Sequence, residues 1–153
     1  MSNVEIDLLR KMPIFGGLKT CSLESLLDNA CDVHVSRGHY FFREGEPGGA
    51  LFVLREGAVE VLREWNGQTV TLGRLGQGDC FGEMALVDFR PRSASVRAVK
   101  DCHGMKLSLD ALRSLYANDL EQYAMIMMNM GREVSRRLRT ADDRILELQQ
   151  SQS

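Results

Sequence analysis

The sequence has no apolar run long enough to cross a bilayer. It opens on Met1-Ser2-Asn3-Val4-Glu5-Ile6-Asp7, with no basic stretch followed by an apolar core. A spanning helix and a secretory leader are not expected, and a cytoplasmic location is. Charge of one sign is also lacking: 19 Lys and Arg stand against 21 Asp and Glu, a formal net charge of −2. General affinity for nucleic acid or for an anionic membrane is therefore not expected, although a local patch can still hold one anion. The four cysteines, Cys21, Cys31, Cys80 and Cys102, form no C-x-x-C pair, and His34, His39 and His103 form no H-x-x-x-H pattern. This spacing argues against a zinc or iron–sulfur site and for reduced, mostly buried thiols, with no metal and no cofactor.

What is present is an ordinary globular balance, 44% hydrophobic and 26% charged in 153 residues, enough for one domain with a real core. The chain reads as one unit. Its helical N-terminal part covers residues 1–31, strands cover residues 32–108, and helices cover residues 109–150. Val4, Ile6, Leu8 and Leu9 precede the breaker Met12-Pro13, and Phe15-Gly16-Gly17 makes a turn. Ser22 is expected to cap a short helix through Leu23, Leu26 and Leu27, with Glu24 in its first turn.

From Val33 the apolar period changes to two. Val33, Val35 and Tyr40-Phe41-Phe42 are followed by the turn signal Glu44-Gly45-Glu46-Pro47-Gly48-Gly49. Short strands are expected at Leu51–Leu54, Ala58–Leu62, Thr69–Leu75, Ser93–Val99 and His103–Leu107. Asn66-Gly67 is a strong hairpin turn, because both residue types tolerate positive φ. Short strands at this spacing predict an antiparallel roll or barrel, so the class is mainly β with flanking helices.

After Ser108 and Asp110, both candidate caps, the chain is helical again, and Asn118-Asp119 starts a long helix. Leu120, Ala124, Met127, Gly131, Val134, Leu138, Ala141, Ile145 and Leu148 recur at alternating intervals of four and three. A seam sustained for about four heptads predicts a partner helix, hence a homodimer. Tyr123, Ile126 and Met130 form a second stripe, so the early turns are expected to pack on the roll as well. Arg132, Arg136, Arg137, Arg139 and Arg144 lie off the seam and read as a solvated face, and the methionines read as core filling.

The chemistry lies in residues 76–96, Gly76-Gln77-Gly78-Asp79-Cys80-Phe81-Gly82-Glu83-Met84-Ala85-Leu86 through Arg90-Pro91-Arg92-Ser93-Ala94-Ser95-Val96. Gly76 and Gly78 mark a turn, and Gly82 permits close backbone approach to a ligand. A helical turn begun at Glu83-Met84-Ala85-Leu86 presents unpaired N–H groups suited to a phosphate. Arg92 supplies a planar, permanently charged fork, and Glu83 can accept from a ribose hydroxyl. Together they suit a singly charged phosphodiester carrying a sugar.

This stretch resembles the phosphate-binding cassette of cyclic nucleotide-binding domains. The family pattern is F-G-E, small or apolar residues, a variable loop, then R-[STA]-A and an apolar strand. Phe15-Gly16-Gly17-Leu18, Gly45 and Gly57 match further family marks, and the likeness runs from about Leu9 to about Leu148. The resemblance implies an antiparallel β-roll (a double-stranded β-helix, or jelly-roll) with N-terminal helices and a long C-terminal dimerisation helix. It implies that Gly82, Met84, Ala85, Arg92, Ser93 and Ala94 hold the cyclic phosphate and that Gly82 and Glu83 hold the ribose. Val61, Leu72, Ser93 and Thr140 are expected at the base. The ligand implied is cAMP, with cGMP possible through the Ser93 hydroxyl.

The order of elements is most similar to the catabolite-activator branch of bacterial regulators, whose long helix also reaches the adenine. Thr140, Ala141 and Asp142 lie near that place, without the branch's adjacent pair of hydroxyl residues. The branch continues into a DNA-reading helix-turn-helix, whereas this sequence ends at Ser153. Either a free-standing module or part of a larger regulator fits, and direct DNA binding by these residues is not expected.

The expected function is a sensor whose ligand offsets the buried Arg92 charge and shifts the following helices. A scaffold that kept the fold without the ligand is the alternative. A cyclic-nucleotide hydrolase would need a metal or a general base at the phosphorus, and nothing aims Asp79 or Asp88 there. A haem or iron–sulfur sensor lacks ligands of suitable spacing.

Overall fold

A computed structural model describes residues 3–83 and 89–152. Helix α1 (Asn3–Arg10) leads through a short 3₁₀ turn (Pro13–Phe15) to α2 (Thr20–Asp28). Eight strands follow: β1 (Ala30–Val35), β2 (Tyr40–Phe42), β3 (Ala50–Glu56), β4 (Ala58–Trp65), β5 (Gln68–Gly76), β6 (Cys80–Phe81), β7 (Ser95–Ala98) and β8 (Cys102–Ser108). Helices α3 (Leu109–Asn118) and α4 (Leu120–Ser151) close the chain.

The strands form two antiparallel four-stranded sheets, in the orders β1-β8-β3-β6 and β2-β7-β4-β5. Apart from the β4–β5 hairpin, consecutive strands alternate between sheets, which makes this the expected jelly-roll. Strand β3 shows how the layers are stacked. Ala50, Phe52 and Leu54 face the other sheet, among Phe42, Val59, Phe81, Val96 and Ala98. Leu51 and Val53 face the helices, among Leu23, Leu26, Leu112, Ile126 and Met130. The unbroken run Ala-Leu-Phe-Val-Leu is thus a strand buried on both faces.

Turns follow their residue chemistry. Asn66 and Gly67 take φ of 52° and 76°, the left-handed pair that a two-residue hairpin demands. At Gly57, φ is +105° and an added Cβ would lie 2.7 Å from the Cys102 sulfur, so only glycine fits.

Helix α2 starts earlier than expected. Ser22 is not its cap: the helix begins at Thr20, because the Lys19 carbonyl already accepts from the N–H groups of Ser22 and Leu23. Ser22 lies buried inside the helix, and Glu24 falls beyond its first turn. Ser108 and Asp119 do cap α3 and α4, accepting from Ala111 N and Gln122 N. The thiols divide evenly: Cys80 and Cys102 are buried, whereas Cys21 and Cys31 are exposed.

The early part of α4 is tied down by polar groups. Gln122 accepts from Lys19 N at 2.9 Å, and buried Asn129 donates from Nδ2 to the carbonyls of Ile14 and Gly16, both at 3.0 Å. The stripe at Ile126 and Met130 is buried against the N-terminal turns, while the seam residues Leu120, Leu138, Ile145 and Leu148 face outward. Leu138 is 62% exposed and Ile126 0%. The two stripes read from the sequence therefore lie on different sides of one helix.

Candidate functional site

Between the two ends of β6 and β7 lies a cavity of about 400 Å³. That is within the range of small-ligand pockets. Phe42, Val61, Leu75, Phe81 and Val96 make its apolar walls, and Gly82, Glu83, Arg92, Ser93, Ala94 and Arg137 bring its polar groups.

Gly82 fixes the geometry. Its φ is +87°, and an added Cβ would lie 2.6 Å from Nη1 of Arg92 and 3.1 Å from the Ala50 carbonyl oxygen. Any side chain there is strained and collides with the guanidinium. Arg92 itself is only 7% exposed. It donates from Nη1 to the Gly82 carbonyl (3.1 Å) and from Nη2 to the Ala50 carbonyl (2.9 Å). Its guanidinium carbon lies 4.0 Å from the centre of the Phe42 ring. Its main chain is clamped as well: Arg92 N donates to Glu46 O, and Gly45 N donates to Arg92 O. Among the described residues no carboxylate pairs with it, and Nε has no hydrogen-bond partner. Burial pulls its pKa below the usual arginine value, partly opposed by the charges of Glu46 and Glu83. An arginine so placed stays charged. The cavity therefore holds a fixed cation with no carboxylate paired to it among the described residues.

Glu83, 3% exposed, lies beside it. One oxygen, Oε1, accepts from Arg137 of α4, while Oε2 has no partner among the described residues. Arg137 also donates to the Cys80 carbonyl and lies 3.5 Å from Glu133 Oε1, one turn earlier on its own helix. Cys80 responds to this company. Burial, followed by the negative charge of Glu83, pushes its thiol up to about 12, with Arg137 pulling the other way.

The structure brings Gly82, Glu83, Arg92, Ser93, Ala94 and Val61 to one cavity. Met84 and Ala85, with the helical turn expected there, lie outside the described residues. Leu72 is not at the cavity, and Leu75 lines it instead. A register shift explains the difference: Val61 pairs with Gly73 but Leu62 with Thr71, so Leu72 is an extra residue and the alternation flips there. Its side chain is 46% exposed. Thr140 is not at the cavity either. It is exposed and donates its hydroxyl to the Arg136 carbonyl, a local bond typical of threonine in a helix.

The arginines of α4 are not a uniformly solvated face. Arg137 lines the cavity, Arg136 pairs with Glu133, Arg132 donates to Asn129, and Arg144 donates to the Leu72 carbonyl. Arg137 was the functional residue most easily missed. The available signal was its place at a helix face that has to cross the roll. Asp79 accepts from Gly76 N in its own turn, which gives it a structural task.

The cyclic nucleotide-binding domain model matches residues 32–119, more than half of the chain. The chain belongs to the cyclic nucleotide-binding domain family. A CRP-like cAMP-activated global transcriptional regulator of Mycobacterium tuberculosis is 31% identical over 143 residues, covering 93% of this chain and 62% of the relative. The cyclic AMP receptor protein of Thermus thermophilus is 33% identical over 135 residues, covering 88% and 61%. This domain therefore spans about three fifths of these relatives' lengths. Among solved structures, a cyclic nucleotide-binding domain from Methylobacillus flagellatus superposes with a TM-score of 0.83 at 29% identity, covering 93% of this chain and 80% of that one. No helix among the described residues is long and apolar enough to cross a membrane.

Proposed function

We propose that this domain senses cAMP and passes the binding event to α4. The observation that carries the reading is Arg92, a buried cation at a ligand-sized cavity with no carboxylate paired to it among the described residues. A singly charged cyclic phosphate supplies the missing charge, with Gly82, Ser93 and Ala94 beside it and Met84 and Ala85 expected to add backbone donors. The unpartnered Oε2 of Glu83 suits a ribose 2′-hydroxyl, which is a donor. Val61 and Leu75 offer an apolar wall to a base. The choice of cAMP over cGMP leans on the two relatives named for cAMP.

In this reading the domain is a regulatory module and not an enzyme. Ligand binding acts on Glu83, and the Glu83–Arg137 ion pair carries the change to α4. The ligand shifts the arrangement only as far as it binds one arrangement better than the other. The exposed seam of α4 pairs with the same seam of a second copy, so that two pockets report to one helix pair.

Calorimetric titration with cAMP, cGMP and 5′-AMP tests this directly. Binding of cAMP ahead of cGMP, with 5′-AMP ignored, is expected. No binding of either cyclic nucleotide to folded, ligand-free protein would leave a scaffold that kept the fold. Sedimentation of the same sample reads the dimer, and a monomer at micromolar concentration would remove that part of the reading.

A further inference from the structure

The hairpin β4–β5 carries one wall of the cavity, and its ladder is interrupted beside that wall. Strand β5 is the outer strand of its sheet, so one of its edges has no neighbouring strand. The extra residue at Leu72 also breaks the ladder between the pairs Val61–Gly73 and Leu62–Thr71. A bulge of this kind bends a hairpin and leaves backbone groups without a cross-strand partner. It falls directly beside Val61 and three residues from Leu75, the two hairpin residues that line the cavity. The bulge therefore falls at the wall that the proposed function assigns to the base.

A side chain of α4 sits at that bulge. Arg144 of α4 donates from Nη1 to the Leu72 carbonyl at 2.6 Å. It follows Arg137 by seven residues, about two helical turns, which puts both side chains on one face of α4. One face of α4 thus reaches the cavity through Arg137 at Glu83 and the hairpin beside the cavity through Arg144 at Leu72.

We propose that Arg144 is a positioning residue for the base end of the pocket. Its guanidinium pins the bulge at Leu72 and fixes the wall formed by Val61 and Leu75. The proposal rests on the sensor reading, because that reading puts a base against this wall. A plain alternative is a surface arginine resting on a carbonyl, worth little, as exposed polar contacts often are. The two differ in what they do to the hairpin. A resting side chain leaves its motion unchanged, whereas a pin sets how often the wall opens and therefore how fast a bound nucleotide leaves.

The test uses the whole chain with Arg144→Ala and the conservative Arg144→Lys. Backbone hydrogen exchange of residues 66–75 is measured without ligand, and dissociation of a fluorescent cAMP analogue by stopped flow. With an unchanged melting temperature, Arg144→Ala is expected to speed exchange of this segment and dissociation together, each about threefold to tenfold. Arg144→Lys is expected to recover part of both. Unchanged exchange in folded Arg144→Ala overturns the pin. Faster exchange with unchanged dissociation overturns the positioning role. A wild-type protein that binds no cyclic nucleotide defeats the sensor reading and the positioning role with it, and exchange then still decides whether the hairpin is pinned.

Discussion

Two arginines reach the same cavity and stand in opposite electrostatic situations. Arg137 comes from the long helix, keeps about a third of its side chain exposed, and is paired with Glu83 and Glu133. Arg92 comes from the segment before β7, is almost wholly buried, and among the described residues meets the carbonyls of Gly82 and Ala50 and the rings of Phe42 and Phe52, with no carboxylate paired to it. A buried charge without a counter-ion costs several kcal/mol, more than two carbonyl hydrogen bonds return. Such a site persists when something outside the chain supplies the anion. Arg137 is already neutralised within the fold and has no spare charge to offer. A missing partner, more than the presence of an arginine, is what makes Arg92 the anion-binding residue in the proposed function.

The largest expected effect breaks this contrast at Arg92. Arg92→Ala removes a charge-assisted fork from a desolvated site and should weaken cyclic nucleotide binding at least about 100-fold by calorimetry. Arg92→Lys keeps the charge and loses the planar fork, so an intermediate loss is expected. Binding within a few-fold of wild type in Arg92→Ala would mean that the anion is held elsewhere. The same substitution at Arg137 should cost binding far less, because its charge is already spent on Glu83.

A smaller effect sharpens the other half of the contrast. Arg137→Ala takes from the buried Glu83 carboxylate its ion-pair partner, which should lower stability by about 1–3 kcal/mol in denaturant unfolding, the lower end reflecting the partial exposure of Arg137. Glu83→Gln in the Arg137→Ala background removes the stranded charge and should return part of that loss. Coupling near zero in this double-mutant cycle would reduce the ion pair to a surface contact.

Most of the fold was legible because its signals are local. The turns at Asn66-Gly67 and Gly57, the period-two strands and the caps at Ser108 and Asp119 each depend on a few neighbouring residues. The meeting of Gly82, Glu83, Arg92 and Ser93 at one cavity was legible for the same reason, since they lie within twelve residues of chain. The misreadings lie mostly in what side-chain spacing does not show. The position of Leu72 turned on one extra residue in a ladder, which no alternation of side chains announces. The start of α2 at Thr20 follows backbone bonds that a side-chain capping signal at Ser22 cannot reveal. The tasks of Arg137 and Arg144 depend on where α4 crosses the roll. Their partners, Glu83 and the Leu72 carbonyl, lie 54 and 72 residues away in the chain. A charged residue on a helix shows its spacing in the sequence but not what faces it.

The smallest effect separates charge from packing at Arg137. Cys80 lies next to the Glu83–Arg137 pair, with its thiol pushed up to about 12 from an ordinary 9.0. The native state therefore holds this proton more tightly than the unfolded chain. Stability from the buried thiol is complete below pH 9 and falls as pH rises from about 9 toward 12, because the unfolded state releases the proton first. At pH 8, a maleimide should label exposed Cys21 and Cys31 quickly and Cys80 slowly, since the thiolate is the reactive form. Arg137 favours that thiolate, so Arg137→Ala should raise the Cys80 pKa further and slow its labelling. Loosened packing would act in the opposite direction, exposing the thiol and speeding the reaction. Slower labelling of Cys80, read by peptide mass, would assign Arg137's effect to its charge. Faster labelling would mean that Arg137 chiefly holds α4 against the roll, and the contrast with Arg92 would then be one of position more than of electrostatics.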